Sequence, residues 1–188
     1  GYGLAHWLLS FISIGLLAWG ISRLGQWLSL STLDCAIAAI LFWLAGEALI
    51  GGEWMFDGVE PKTLAHGCGL IAFAGVAQGR WRAPALWMAL GLYLHFLAAG
   101  YWLAAAILLG ILLGQRATIF RFALATLALT IPLLTLLVMG QVEARSVVQP
   151  PDLPPADYIY SILRVPHHVA PFDPTNGLLR QTKTSLVY

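Results

Sequence analysis

The stretch APALWMALGLYLHFLAAGYWLAAAILLGILL, Ala83 to Leu113, decides the fold. A helix crossing a bilayer needs about 20 apolar residues, within a range of about 17–25. Residues 83–113 are too many for one crossing and few for two. We read them as a tight hairpin of two short or tilted helices, turning between His95 and Gly100. The flanks give a second reason. Arg80 and Arg82 precede the stretch, and Arg116 and Arg121 follow it. Basic residues collect on the cytoplasmic side of membrane proteins. A single crossing would split these arginines between two sides, whereas a hairpin keeps them together.

Working outward, the rest of the chain repeats the pattern. Hydrophobic residues make up 59% and charged residues 10% of the 188 residues. A soluble domain has about 25% charged residues, and mean hydropathy here is +0.78. The composition is that of a polytopic membrane protein. Further spans are expected over about Tyr2–Ile21, Leu33–Ile50, Lys62–Ala77 and Phe122–Met139, with Pro132 kinking the last. The expected fold is all-α, a polytopic transmembrane bundle of about six helices over residues 1–141. Arg23, Arg80, Arg82, Arg116 and Arg121 then fall at alternate loops, on the cytoplasmic side of a bacterial inner or thylakoid-type membrane. The acidic loop after the second span, the His95 turn and the C-terminal tail fall on the extracytoplasmic side. Net charge is +1, too small a field for nucleic acid as a partner. The partners expected are membrane lipids and other membrane subunits. Cys35 and Cys68 are too few for a disulfide framework and read as small core residues. The chain opens on Gly1 directly into a hydrophobic run, without a charged leader region or cleavage site. That opening is expected of a piece of a longer or processed chain.

Residues 142–188 read as a proline-rich linker and tail. Within it, YIYSILRV (Tyr158–Val165) fits a short interfacial helix with Asp157 as its N-cap. Pro166 would end that helix.

The polar residues are few. Glu47 lies at membrane depth, where a carboxylate costs about 2.5–3.5 kcal/mol on insertion scales; it either reaches the interface, pairs with Lys62, or has a function. Glu53, Asp57 and Glu60 follow in a short loop. With Glu47 they form a negative cluster that suits Mg²⁺ or Mn²⁺, or simply a solvated connection. Asp57 and Glu60 are the candidate metal ligands. Lys62 and His66 are one turn apart on the same helix face. Helix N-termini favour anions, so this pair suits a lipid phosphate, or else interfacial anchoring by Lys62 with an internally hydrogen-bonded His66. His95 and His6 sit near outer helix ends, as structural or cavity-lining residues. Arg164, His167 and His168 suit phosphate or sugar contact, a metal, or structural packing; the spacing is not that of a strong zinc signature.

The stretch from GGEWMFDGVEPK (Gly51–Lys62) through YLHFLAAGYWLAAAILL (Tyr93–Leu109) resembles the middle of GT-C-type membrane glycosyltransferase-like proteins. The run R-x-P-H-H-x-x-P (Arg164–Pro171) is similar to one in bacterial polytopic proteins of this type. The resemblance implies a polyprenyl-phosphate-linked sugar handled at the outer membrane face. It places Glu53, Asp57, Glu60 and Lys62 at a second external loop that contributes to catalysis, metal or donor-phosphate binding. It makes His95 line the same cavity, and Arg164, His167 and His168 cover it. The family's main catalytic acid belongs to a first external loop, which would precede Gly1. The alternative is a non-catalytic accessory subunit of a larger complex, in which histidines contact pigment or haem. A transporter ranks last, since the sequence has no inverted repeat.

Overall fold

The computed structural model describes residues 2–44 and 60–146. The described residues are all helical, with no strand. Six helices follow in order: α1 Tyr2–Trp27, α2 Thr32–Leu44, α3 Pro61–Ala77, α4 Arg82–Leu94, α5 Phe96–Leu112 and α6 Arg116–Ser146. The chain divides into two units, Gly1–Leu41 with Met55–Leu137, and Phe42–Trp54 with Val138–Tyr188. Everything below concerns the first. Of the second, the described residues are the helical ends 42–44 and 138–146.

Two helices are long and apolar enough to cross a membrane, α1 over Trp7–Trp27 and α6 over Arg116–Gly140. Most of each is unburied: 22% of the α1 window and 17% of the α6 window lie inside the protein. The expectation of about six spans is met only in part. At about 1.5 Å per residue, α4 is about 20 Å long and α3 and α5 about 26 Å, short of a hydrocarbon core of about 30 Å.

The hairpin in residues 83–113 is present, and its break is sharper than expected. His95 alone leaves the helical conformation, at φ −155° and ψ 102°. A Cβ built on Gly91 would lie 3.2 Å from the Cβ of Ala99. In a straight helix those positions would be about 12 Å apart along the axis, so the chain doubles back. Gly100, expected in the turn, lies inside α5 with open space around it. The turn needs no glycine because the His95 side chain makes it: Nδ1 accepts the Ala98 N–H at 3.2 Å and caps α5.

Helix α3 is the centre. It packs closely on α1, α4 and α5, and most of its residues are buried. The sequence PKTLAHGCGLIAFAGVA explains this, because its small residues let helix backbones approach closely. A Cβ on Gly67 would meet the Leu16 side chain at 2.8 Å, and one on Gly75 would meet Pro84 at 2.6 Å. Gly67 faces Leu16 and Gly20 faces Leu70, so α1 and α3 run parallel; Gly75 against Pro84 and Gly91 against Cys68 make α4 antiparallel to α3. Helix α6 joins the core through side chains: Ile119, Phe122, Thr126 and Thr130 form its buried stripe. Its assignment continues through Pro132. A proline removes one helical hydrogen bond and strains its neighbours. Next to that gap the Tyr93 hydroxyl donates to the Leu129 carbonyl at 3.2 Å.

Helices α1, α3 and α5 end alike. Leu30 N–H reaches back to the Gly25 carbonyl, Arg80 N–H to Gly75, and Gln115 N–H to Gly110, at 2.8–3.0 Å. This is the six-residue closure of a Schellman turn, which needs a left-handed residue. Gly79 (φ 75°) and Gly114 (φ 70°) supply it, but the first turn uses Ser29 at φ 59°. A non-glycine residue there costs about 1 kcal/mol. Ser29→Gly is therefore expected to raise stability by up to that amount, read as the midpoint of thermal unfolding in detergent. An unchanged or lowered midpoint would contradict it.

Side chains tie these three ends together. Arg23 donates to Gln78 Oε1 at 3.3 Å, Gln78 Nε2 donates to the Arg23 carbonyl at 3.2 Å, and Gln115 Nε2 donates to the Ala77 carbonyl at 3.4 Å. Arg80, Arg82 and Arg116 follow directly in these turns. Arg23, Arg80, Arg82 and Arg116 thus lie at one end of these helices.

Candidate functional site

At the opposite end α3 begins. Glu60 precedes Pro61 with extended backbone (φ −107°, ψ 150°), as a residue before proline prefers. Pro61 occupies the first helical turn, where its missing N–H costs nothing. The Lys62 ammonium lies 3.1 Å from a Glu60 carboxylate oxygen, and the Lys62 side chain is mostly covered while Glu60 is exposed. A pair of this exposure contributes at most about 1 kcal/mol. Its clearer effect is to hold a cation at the mouth of a helix that is itself positive there.

One turn on, the His66 Nδ1 accepts a hydrogen bond from the Trp102 indole N–H at 3.0 Å. A neutral imidazole in this arrangement carries its proton on Nε2. Trp102 reaches His66 across a slot. Gly69 has no side chain, and a Cβ there would collide with the Trp102 ring. Phe73 closes the far side edge-on, with ring centroids 5.7 Å apart and planes at 68°. His66, Gly69 and Phe73 thus share one face of α3, and α5 inserts one tryptophan between them.

Of the candidate residues, Glu60, Lys62 and His66 come together at the start of α3. His95 lies beyond Gly91 at the same end, where its Nδ1 serves the α5 cap. Glu47, Glu53, Asp57, Arg164, His167 and His168 lie outside the described residues, as does the His6 side chain. The metal assignment to Asp57 and Glu60 is thus half outside them. Among the described residues no group of three or more His, Cys, Asp or Glu side chains comes together to hold a metal. Cys68 is buried in the core as expected; Cys35 is only partly buried. It lines a half-open groove of about 340 Å³ between α1 and α2, with Ile14, Ala18, Ser22 and Gln26.

Trp102 was not among the candidates. Its partner is 36 positions away in sequence, and the sole local signal is the glycine one turn after His66.

Compared with protein-family models, with curated proteins and with solved structures, the chain matches none.

Proposed function

We propose that the chain is an integral membrane helical bundle that binds a lipid-linked phosphate, of the polyprenyl-phosphate-sugar class, at the end where α3 begins. One observation carries the reading: Lys62, held by Glu60 at 3.1 Å, stands at the N-terminus of the most buried helix, one turn from His66. A phosphate there would meet an ammonium and the positive end of the helix dipole. The unburied apolar faces of α1 and α6 support placing this end at a membrane surface. The positive-inside bias of the arginines supports the extracytoplasmic face for the site.

In the GT-C-type reading, transfer is an inverting displacement at the anomeric carbon. A carboxylate takes the acceptor's proton, the acceptor oxygen bonds to the sugar, and the donor's phosphate leaves with its electron pair. Glu53 and Asp57 are the carboxylates for that role, with Glu60 already paired to Lys62. A Mg²⁺ or Mn²⁺ would act on the leaving phosphate through Asp57 and Glu60. The test uses purified protein and a short-chain polyprenyl phosphate. Lys62→Ala is expected to weaken binding at least tenfold, because it removes the charge that pairs with phosphate. Lys62→Arg should keep most of it. Equal binding by wild type and K62A would sink the site.

A second reading is favoured by a separate observation. His66 bonds Trp102 and His95 caps α5, so both histidines serve the fold. That suits a non-catalytic subunit of a larger membrane complex. Isolation as a colourless monomer with bound polyprenyl phosphate would decide for the first reading. A large assembly with bound pigment or haem and no such lipid would decide for the second.

A further inference from the structure

The arginine-bearing end carries the strongest unassigned surface. Arg80, Arg82, Arg116 and Arg121 are all exposed. Among the described residues no carboxylate pairs with them; Asp34, the one acid at that end, accepts from the Ser31 N–H and hydroxyl at 2.9 and 2.6 Å. The turns that present the arginines are closed by backbone hydrogen bonds and joined through Arg23, Gln78 and Gln115. The Arg82 guanidinium also lies 5.2 Å from the centre of the Trp81 ring. The charge is therefore fixed in place rather than spread over a loose tail.

What the arginines adjoin decides the ligand. Helices α4 and α6 both start at this end and run away from it. Arg82 has Leu86 one turn deeper on the same face, and Arg116 has Phe120 in the same relation. Leu86 is 60% exposed and Phe120 69% exposed. Twice, then, a cation stands at the rim with a large apolar side chain one turn inward. A soluble phosphate would use the cation alone. A phospholipid uses both, with its headgroup phosphate on the guanidinium and its acyl chain on the apolar residue.

From this arrangement we infer that the arginine-bearing end is a docking surface for anionic phospholipids, engaged at the Arg80–Arg82 turn and at Arg116 and Arg121 in the first two turns of α6. The inference rests on the membrane reading above and not on the phosphate site at the other end. Each basic residue near an anionic leaflet contributes about 1 kcal/mol, or about fivefold in affinity.

The experiment uses the whole chain, purified in a neutral detergent and titrated with dioleoyl phosphatidylglycerol, dioleoyl phosphatidylcholine or inorganic phosphate. Lipid retained is read by native mass spectrometry and the unfolding midpoint by tryptophan fluorescence. Phosphatidylglycerol is expected to be retained in preference to phosphatidylcholine and to raise the midpoint more. Each Arg→Gln change at Arg80, Arg82, Arg116 or Arg121 should lower that preference about fivefold, and Arg→Lys should largely keep it. Added salt near 0.5 M should weaken it by screening. Equal retention of the two lipids by wild type overturns the inference, as does a preference that survives all four substitutions. Phosphate alone protecting as well as phosphatidylglycerol also overturns it, in favour of a soluble anion. Carbonate extraction of native membranes separates the two levels: a chain released into the aqueous phase removes the membrane reading itself.

Discussion

Gly69→Val is expected to lower stability by about 1.5–4.5 kcal/mol and to separate α5 from α3. The new side chain would occupy the space of the Trp102 ring, which a single Cβ at position 69 already enters. Overpacking costs about 1–3 kcal/mol. Moving Trp102 also breaks its hydrogen bond to His66, a further loss of about 0.5–1.5 kcal/mol. The ring has nowhere else to go, because Phe73 closes the slot on the far side. Gly100→Val is the control on α5. Nothing lies within 4 Å of a Cβ there, so the change should be close to neutral. Unfolding midpoints in detergent give both values. Adding Trp102→Ala to Gly69→Val should recover part of the loss, as expected of two groups in contact. Equal effects at positions 69 and 100 would mean that the slot does not hold the tryptophan.

Phe122→Ala carries the next largest effect, and its size depends on the solvent around the helices. Phe122 is fully buried, against Met88, Val76 and the alanines of α3 and α5. In a water-solvated protein, truncating such a residue costs about 3–5 kcal/mol. About 1.5–3 kcal/mol of that is transfer from water. If helices separate into lipid, that part is absent, because lipid is as apolar as the core. The expected loss is then about 2 kcal/mol, from the cavity and lost contacts alone. Phe120→Ala, two positions away and facing outward, should cost close to nothing. A loss above about 4 kcal/mol at Phe122 would mean that α6 leaves the core for water.

The outline of this fold was readable because so uniformly apolar a sequence carries few competing signals. The length of residues 83–113 and the arginines on either side demanded a turn, and a turn is there. The turn was expected between His95 and Gly100, and the break falls at His95 alone: Gly100 is accommodated inside α5, while the His95 side chain replaces a backbone acceptor at the start of α5. The centre of the bundle was less readable. The small residues of α3 matter through what they face, and Leu16, Pro84 and Trp102 are remote in sequence. His66 was recognised as a polar residue needing a partner. Which partner it has is decided by the parallel alignment of α3 and α5, a tertiary fact with no local trace. The Glu60–Lys62 pair differs again. Both residues were chosen for their charge, and the bend before Pro61 is what lets side chains so close in sequence meet.

On the proposed membrane reading, the hairpin at His95 has a consequence for the bilayer itself. Helix α4 offers about 20 Å between the basic rim and its cap, and α5 about 26 Å, whereas α1 and α6 are long enough to cross fully. If the bundle spans a bilayer as proposed, the hydrocarbon layer beside the short pair would pinch inward, or headgroups and water would sink to meet the His95 apex. Each ångström of such mismatch costs a fraction of a kcal/mol. On the proposed membrane reading, a thin, short-chain bilayer would fit the short pair better than a thick, sterol-stiffened one.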